Sequence, residues 1–265
     1  MNQKYSFVLS SCDNYSDLWN PFFTLLKKYW KGFDYKVFLC TESKNFTFDG
    51  IDIACPLNAK PSNTWSQNLI ELLKILPTDY LIFMLDDFWI KEEVDQNQLN
   101  QYLEIFDQDK EIGFMCLRHQ PASKFQPSSK YPLLVEYPKK FDYRTTTQVG
   151  IWRKNYLLKL LRAHESAWQF EICGSRRSNR YLPKHYVISS QAKCPIVYDA
   201  GGVLFRGCYV KEFIEYFITE EKIKLEQERK IDTKTNLETA TYHKKRNWKN
   251  YLNPQKYISV IKSWI

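Results

Sequence analysis

In "DYLIFMLDDFWI" an unbroken run of apolar and aromatic residues, Tyr80 to Leu85, leads into Asp86 and Asp87, and Phe88 and Trp89 follow at once. Such a run reads as a buried strand. Similar but shorter runs stand earlier in the chain. "KYSFVLSSCD" passes into Ser10, Ser11, Cys12 and Asp13, "YKVFLCTES" into Thr41 and Glu42, and "IDIAC" is a short third strand. Between them the apolar spacing is helical. "SDLWNPFFTLLKKYW" places Leu18, Phe22, Leu25, Leu26 and Trp30 on one face with Ser16 as the expected N-cap, and "NTWSQNLIELLKIL" does the same with Trp65, Leu69, Leu72, Leu73 and Leu76. "QNQLNQYLEIFDQ" predicts a further helix and "IGFMCLR" a further strand. This alternation predicts an α/β fold, a parallel-rich sheet covered by helices on both faces. Such sheets bind ligands beyond the carboxyl ends of their strands, where three of the strands here end in polar or acidic residues.

The pattern loosens in the second half. Residues 119–144, rich in Pro, Ser, Lys and Tyr, predict an irregular or hairpin-like excursion. "TTTQVGIW" is β-prone, "RKNYLLKLLRAHESAWQFE" resumes helical spacing, and "VKEFIEYFITEEKIKLEQERK" predicts one or two helices with an exposed charged face. The expected organisation is a catalytic domain over 1–208, split into a nucleotide-binding half (1–118) and an acceptor half (119–208), with a helical C-terminal extension over 209–265.

Composition narrows the classes. The seven cysteines are odd in number and scattered, with no Cys-x-x-Cys pair, which argues against a disulfide scaffold or zinc site and for a reducing compartment. The histidines 119, 164, 185 and 243 show no ligand spacing. There is no secretory signal and no apolar run of the length that crosses a membrane, so the expectation is a soluble, cytoplasmic protein. A net charge of +8 suits an anionic partner: nucleic acid, anionic lipid or a phosphate-bearing substrate.

Two carboxylates at the tip of a buried strand suit a hard divalent cation, Mn or Mg, that takes its other ligands from water and substrate phosphate. A solvated acidic turn is the competing reading. Neighbouring strand residues face opposite ways, so the pair serves together only if the strand ends there. Asp87 is then expected on the metal, and Asp86 on the metal's surroundings or a ribose.

"YLIFMLDDFWI" resembles the DxD-type motif of the GT-A glycosyltransferases, in the adjacent-aspartate form "LDDF" associated with bacterial surface-polysaccharide transferases. The resemblance covers roughly residues 4 to 205; the usual Asp-x-Asp spacing and the Glu-Asp pair of the large inverting family are absent. It implies a Rossmann-like GT-A fold with a mixed, mostly parallel sheet. It also implies metal-dependent, inverting transfer of a hexose-type sugar from a nucleotide diphosphate sugar, UDP first among them. The acceptor would be a saccharide or lipid-linked saccharide. Nucleotide contacts fall on Ser10, Asp13, Thr41, Glu42, Trp65, Ser66 and Asp86, metal ligands on Asp87 and Asp86, and the catalytic base on Glu171, in an expected loop. Glu165 competes for that last role, and Trp65 reads equally as a core aromatic. In "GSRRSNR", Arg176 and Arg177, with Arg180 near, suit the diphosphate through forked contacts; a solvated basic loop is the alternative. The tandem Gly201-Gly202 reads as a tight turn.

The tail is a separate matter. Around Trp248 stand Lys244, Lys245, Arg246 and Lys249, and Asn253-Pro254 opens an expected helix bearing Ile258, Ile261, Trp264 and Ile265. Residues 243–265 fit either a peripheral contact with the inner face of the cell membrane or a terminal helix packed on the body. Two other classes of function stay open: a basic nucleic-acid-binding protein, which lacks any recognised motif, and a non-catalytic sugar-nucleotide-binding protein or a nucleotidyltransferase on a related fold.

Overall fold

The computed structural model describes residues 4–60, 62–226 and 229–232. The expected tail contact over 243–265 lies outside the described residues. Eight strands form one sheet: β1 (Tyr5–Ser10), β2 (Val37–Cys40), β3 (Ile53–Ala54), β4 (Tyr80–Leu85), β5 (Ile112–Cys116), β6 (Leu134–Glu136), β7 (Gly150–Arg153) and β8 (Lys184–Ile188). Their order is β3-β2-β1-β4-β7-β5-β8-β6. β7 and β6 run antiparallel to their neighbours and the other six are parallel. This is the parallel-rich sheet that the alternating pattern predicts, with two antiparallel strands.

Both faces of this sheet are buried, which is why its strands read as continuous apolar runs. Because side chains alternate along a strand, each strand feeds two cores. Phe7, Leu9, Leu39, Ile82 and Met84 pack with α1 (Trp19–Tyr29) and α3 (Gln96–Gln108). Val8, Phe38, Leu81 and Phe83 pack on the other face with α2 (Trp65–Ile75) and α4 (Lys154–Leu160). α2 is capped by Thr64, whose hydroxyl accepts from the Gln67 amide at 3.1 Å. α1 departs from expectation. Ser16 lies inside a 3-10 turn over Asp13–Leu18, and the residue before the helix is Leu18, with no side-chain cap.

After α4 the chain winds through α5 (Ala167–Gln169), a π turn over Phe170–Gly174 and α6 (Ser175–Ser178). The helical spacing after Arg153 is thus realised as several short helical turns, and Glu171 sits on the π turn rather than in a loop. A small sheet of β9 (Leu204–Phe205), β10 (Cys208–Val210) and β11 (Ile231–Asp232), with α7 (Lys211–Thr219), follows. Tyr209, Ile214, Phe217 and Ile223 are buried in the first of the two cores, so this part is continuous with the body. β9 and β10 are joined by Arg206 and Gly207, both at positive φ (52° and 79°), the backbone of a tight two-residue hairpin. Among the described residues no helix is long and apolar enough to cross a membrane.

Candidate functional site

The parallel strands β1, β2 and β4 end flush, Ser10 lying beside both Cys40 and Leu85. The residues that follow each strand therefore emerge together, and a cleft of about 870 Å³ opens there. Ser10, Glu42, Trp65, Asp86, Asp87 and Glu171 all line it. The convergence of polar strand ends expected from the sequence is thus a feature of the fold.

The aromatics after the aspartates explain how the pair is held. Phe88 stacks on Tyr198 at 4.6 Å between ring centroids, and Trp89 packs edge-on against Phe217 at 5.1 Å. The Val203 amide donates to the Asp87 carbonyl at 2.9 Å. The chain turns at Asp86 and Asp87 because the next two side chains are anchored in the core beneath the segment running from Tyr198 to Val203.

Asp86 is 4% exposed, and its carboxylate accepts from the Ser11 hydroxyl, which in turn accepts from the Trp19 indole at 2.6 Å. Burial pushes Asp86 up to about 7 against the Ser11 donation, with repulsion from Asp17 adding to the rise. Asp87 is also pushed well up, first by burial and then by the charge of Asp86. Its Oδ1 is buried without a hydrogen bond among the described residues. Gly202 (φ +71°) lies directly over this carboxylate, so the tandem glycine is both a turn and a close approach of backbone to acid. Two buried carboxylates with one unsatisfied oxygen suit a cation. No group of three His, Cys, Asp or Glu side chains that could hold a metal occurs among the described residues.

On the far wall Glu171 is clamped through one oxygen. Its Oε1 accepts from the Thr146 hydroxyl (2.9 Å), the Thr147 amide (2.8 Å) and the Thr147 hydroxyl (2.9 Å). Oε2 makes no protein hydrogen bond among the described residues. The π turn supplies this arrangement: its extra residue shifts the helix register locally, a distortion often found at functional sites. Trp65 completes the wall, its indole donating to Ser10 Oγ at 2.8 Å and its ring lying 5.5 Å from that of Phe170.

Other expected site residues sit elsewhere. Asp13 does not line the cleft. Its carboxylate accepts from the amides of Glu42, Ser43 and Lys44 at 3.1–3.2 Å and from the Ser43 hydroxyl at 2.7 Å, tying the loop after β1 to the loop after β2. Thr41 is buried, its hydroxyl donating to the Lys44 carbonyl. Ser66 is fully buried behind Trp65 on α2. Arg177 is 4% exposed and grips Glu165, itself 1% exposed, through two contacts of 2.5–2.6 Å. That pairing keeps both residues in the protein interior, and neither lines the cleft. Arg176 lines a separate small pocket beside Lys140 and Asn179.

The cleft also holds residues the sequence did not single out: Tyr15, Asn68, Gln148, Trp168 and Arg206. Trp168 is 60% exposed at its edge, and Arg206 is the single basic side chain among the lining residues. Arg206 comes from the hairpin after Gly202, a stretch with no local motif; its neighbour Gly207 is the sole hint. Cys12 lines the cleft too, and burial, with Asp86 and Glu42 nearby, pushes its thiol up to about 12, which favours the protonated form.

No family model and no curated protein matches the chain. Among solved structures it is similar to S. aureus TarS 1–349 in complex with UDP, with a TM-score of 0.48 at 14% identity over 72% of this chain and 59% of that one. S. aureus TarS in a longer form gives 0.43 at 15% identity, over 72% of this chain and 36% of that one. A CMP:2-keto-3-deoxy-manno-octonic acid synthetase complexed with CTP gives 0.43 at 11% identity, over 71% and 90%. The chain spans less than two thirds of the TarS chains.

Proposed function

We propose that this protein is a glycosyltransferase that moves a sugar from a nucleotide diphosphate, UDP first among candidates, to a saccharide or lipid-linked saccharide acceptor with inversion at the anomeric carbon. One observation carries the reading: the acidic end of β4 and the clamped Glu171 open on a single cleft that also receives the ends of β1 and β2. In this reading the nucleoside lies across Ser10, Glu42, Asn68 and Trp65.

Asp87, through its unpartnered Oδ1 and supported by Asp86, would hold a divalent cation, Mn or Mg, leaving substrate phosphate and water to supply the other ligands. When bound, such an ion neutralises charge that develops on the departing diphosphate. Arg206, rather than Arg176 or Arg177, is placed to add a cationic side chain on that side. Glu171 Oε2 takes the proton of the acceptor hydroxyl while Oε1 stays fixed by the threonines. The acceptor oxygen bonds to the anomeric carbon from the face opposite the phosphate, and the bond from that carbon to the phosphate oxygen breaks with its electron pair leaving on the diphosphate.

Calorimetry with UDP, with and without Mn, tests the donor half. Metal-dependent binding that Asp87→Asn abolishes is the expected result. Equal binding with and without metal removes the cation, and no binding of any nucleotide removes the reading. Salt-sensitive binding to random RNA, with no hydrolysis of any nucleotide sugar, would favour a nucleic-acid-binding protein instead.

A further inference from the structure

Beside the cleft lies a second pocket of about 590 Å³, which shares Gln148 and Ala200 with it. The two differ sharply in charge. Glu42, Asp86, Asp87 and Glu171 line the cleft, against one arginine. The second pocket carries Arg118, His119 and Lys124 and no acidic residue.

Arg118 is built in rather than loosely exposed. It donates to Gln148 Oε1 at 3.0 Å, and its guanidinium lies 5.3 Å from the Tyr198 ring. Its Nε is nevertheless buried and has no hydrogen-bond partner among the described residues. A buried, unpaired guanidinium N–H is costly to leave unmet. His119 is oriented by Nε2, 2.8 Å from the Ala192 carbonyl; a carbonyl only accepts, so Nε2 carries the hydrogen. Lys124 projects from the 3-10 turn Pro121–Lys124 on the same rim. The chain also links this pocket to the candidate base: Thr147 holds Glu171, and the next residue, Gln148, holds Arg118.

We propose that this pocket is the acceptor subsite and that it selects an acceptor bearing an anionic group, a phosphate ester or a carboxylate, close to the hydroxyl that is glycosylated. The word acceptor rests on the transferase reading above; the anion site does not. Arg118 and Lys124 attract such a group, whereas the cleft meets it with Glu42 and Glu171, so the two fields orient the acceptor with its hydroxyl toward Glu171 and its charge away. Arg118 is suited to forked contact with either anion.

The test follows the Arg118 Nε–H resonance of the full chain by NMR, assigned through its loss in Arg118→Gln. Inorganic phosphate and glucuronate are titrated separately, without metal or nucleotide. A saturable shift of that resonance is expected, with affinity falling about tenfold in Lys124→Gln and unchanged in Lys74→Gln, an equal loss of charge on the exposed side of α2. A response to phosphate alone assigns a phosphorylated acceptor, to glucuronate alone an acidic sugar, and to both the wider anionic class. No saturable shift, or the same loss in Lys74→Gln as in Lys124→Gln, overturns the proposal. UDP titration of the same samples reports the donor site separately, so a failure there leaves this result interpretable.

Discussion

Gly202 and Asp87 are in contact through space that no side chain can share: a β-carbon at residue 202 would meet the Asp87 carboxyl carbon at 2.5 Å and Oδ1 at 3.0 Å, and would overlap Oδ2. The φ of +71° adds backbone strain for any L side chain there. Gly202→Ala is therefore expected to lose about 1–3 kcal/mol of stability and to displace the carboxylate. Metal-dependent UDP affinity should fall more than about tenfold, a larger loss than that small stability change implies. Thermal melts and calorimetry on one preparation check this, and wild-type UDP affinity in the variant would show that the contact leaves the site unaffected.

Substitutions around Glu171 separate binding from chemistry. Glu171→Gln keeps the shape and should leave UDP binding intact while transfer falls by more than about a hundredfold. Thr147→Val removes one of three donors to Oε1 and spares the amide. It should lower kcat by about tenfold with little change in the donor KM. Steady-state kinetics with donor and acceptor varied in turn decide it; undiminished transfer in Glu171→Gln means that the proton goes elsewhere.

Arg177 and Glu165 give a prediction about folding rather than ligand. Breaking a buried pair on one side strands a charge, at a cost of about 3–5 kcal/mol. Arg177→Met should thus lower Tm by about 10 °C, and adding Glu165→Gln should restore part of it. The folded fraction of Arg177→Met should bind UDP like wild type, whereas Arg206→Gln should weaken UDP without changing Tm. The reverse pattern, read by melts and calorimetry together, would return the phosphate role to Arg177.

These comparisons mark what a sequence can and cannot disclose about such a site. The ends of β1, β2 and β4 were legible because a buried strand must be apolar up to the point where it leaves the core. Each change to polar residues therefore marks an edge of the sheet, and parallel neighbours bring those edges together. Arg176 and Arg177 were not separable, since on a helix adjacent residues differ in direction by about 100°. Which one turns inward depends on Glu165, held there by the fold. The same rotation hides Ser66 while Trp65 faces the cleft. Arg206, Gln148 and Arg118 carry no local pattern, because the loops that bring them together are distant in sequence. The π turn under Glu171 is equally silent, as its partners Thr146 and Thr147 lie 25 and 24 residues away in sequence.

The acidic pair also predicts opposite pH trends for the bare protein and for its complex. Asp86 titrates at 3.8 when unconstrained and near 7 in the fold, chiefly because burial disfavours its charge, and Asp87 is raised as well. A carboxyl raised in the folded state binds more protons there than when unfolded across that interval. Its contribution to stability is complete below the unfolded value and is lost as pH rises through the folded one. With chelator present, wild-type Tm should therefore fall, relative to Asp86→Asn with Asp87→Asn, between about pH 4 and about pH 7.5. Cation and nucleotide need the ionised pair, so Mn-dependent UDP affinity should rise over the same range, and Mn with UDP should restore Tm most at the alkaline end. Melts of both proteins in one buffer series, with chelator and then with Mn and UDP, read both trends. Parallel curves for the two proteins under chelator would mean that these carboxylates are not the charges the fold leaves uncompensated.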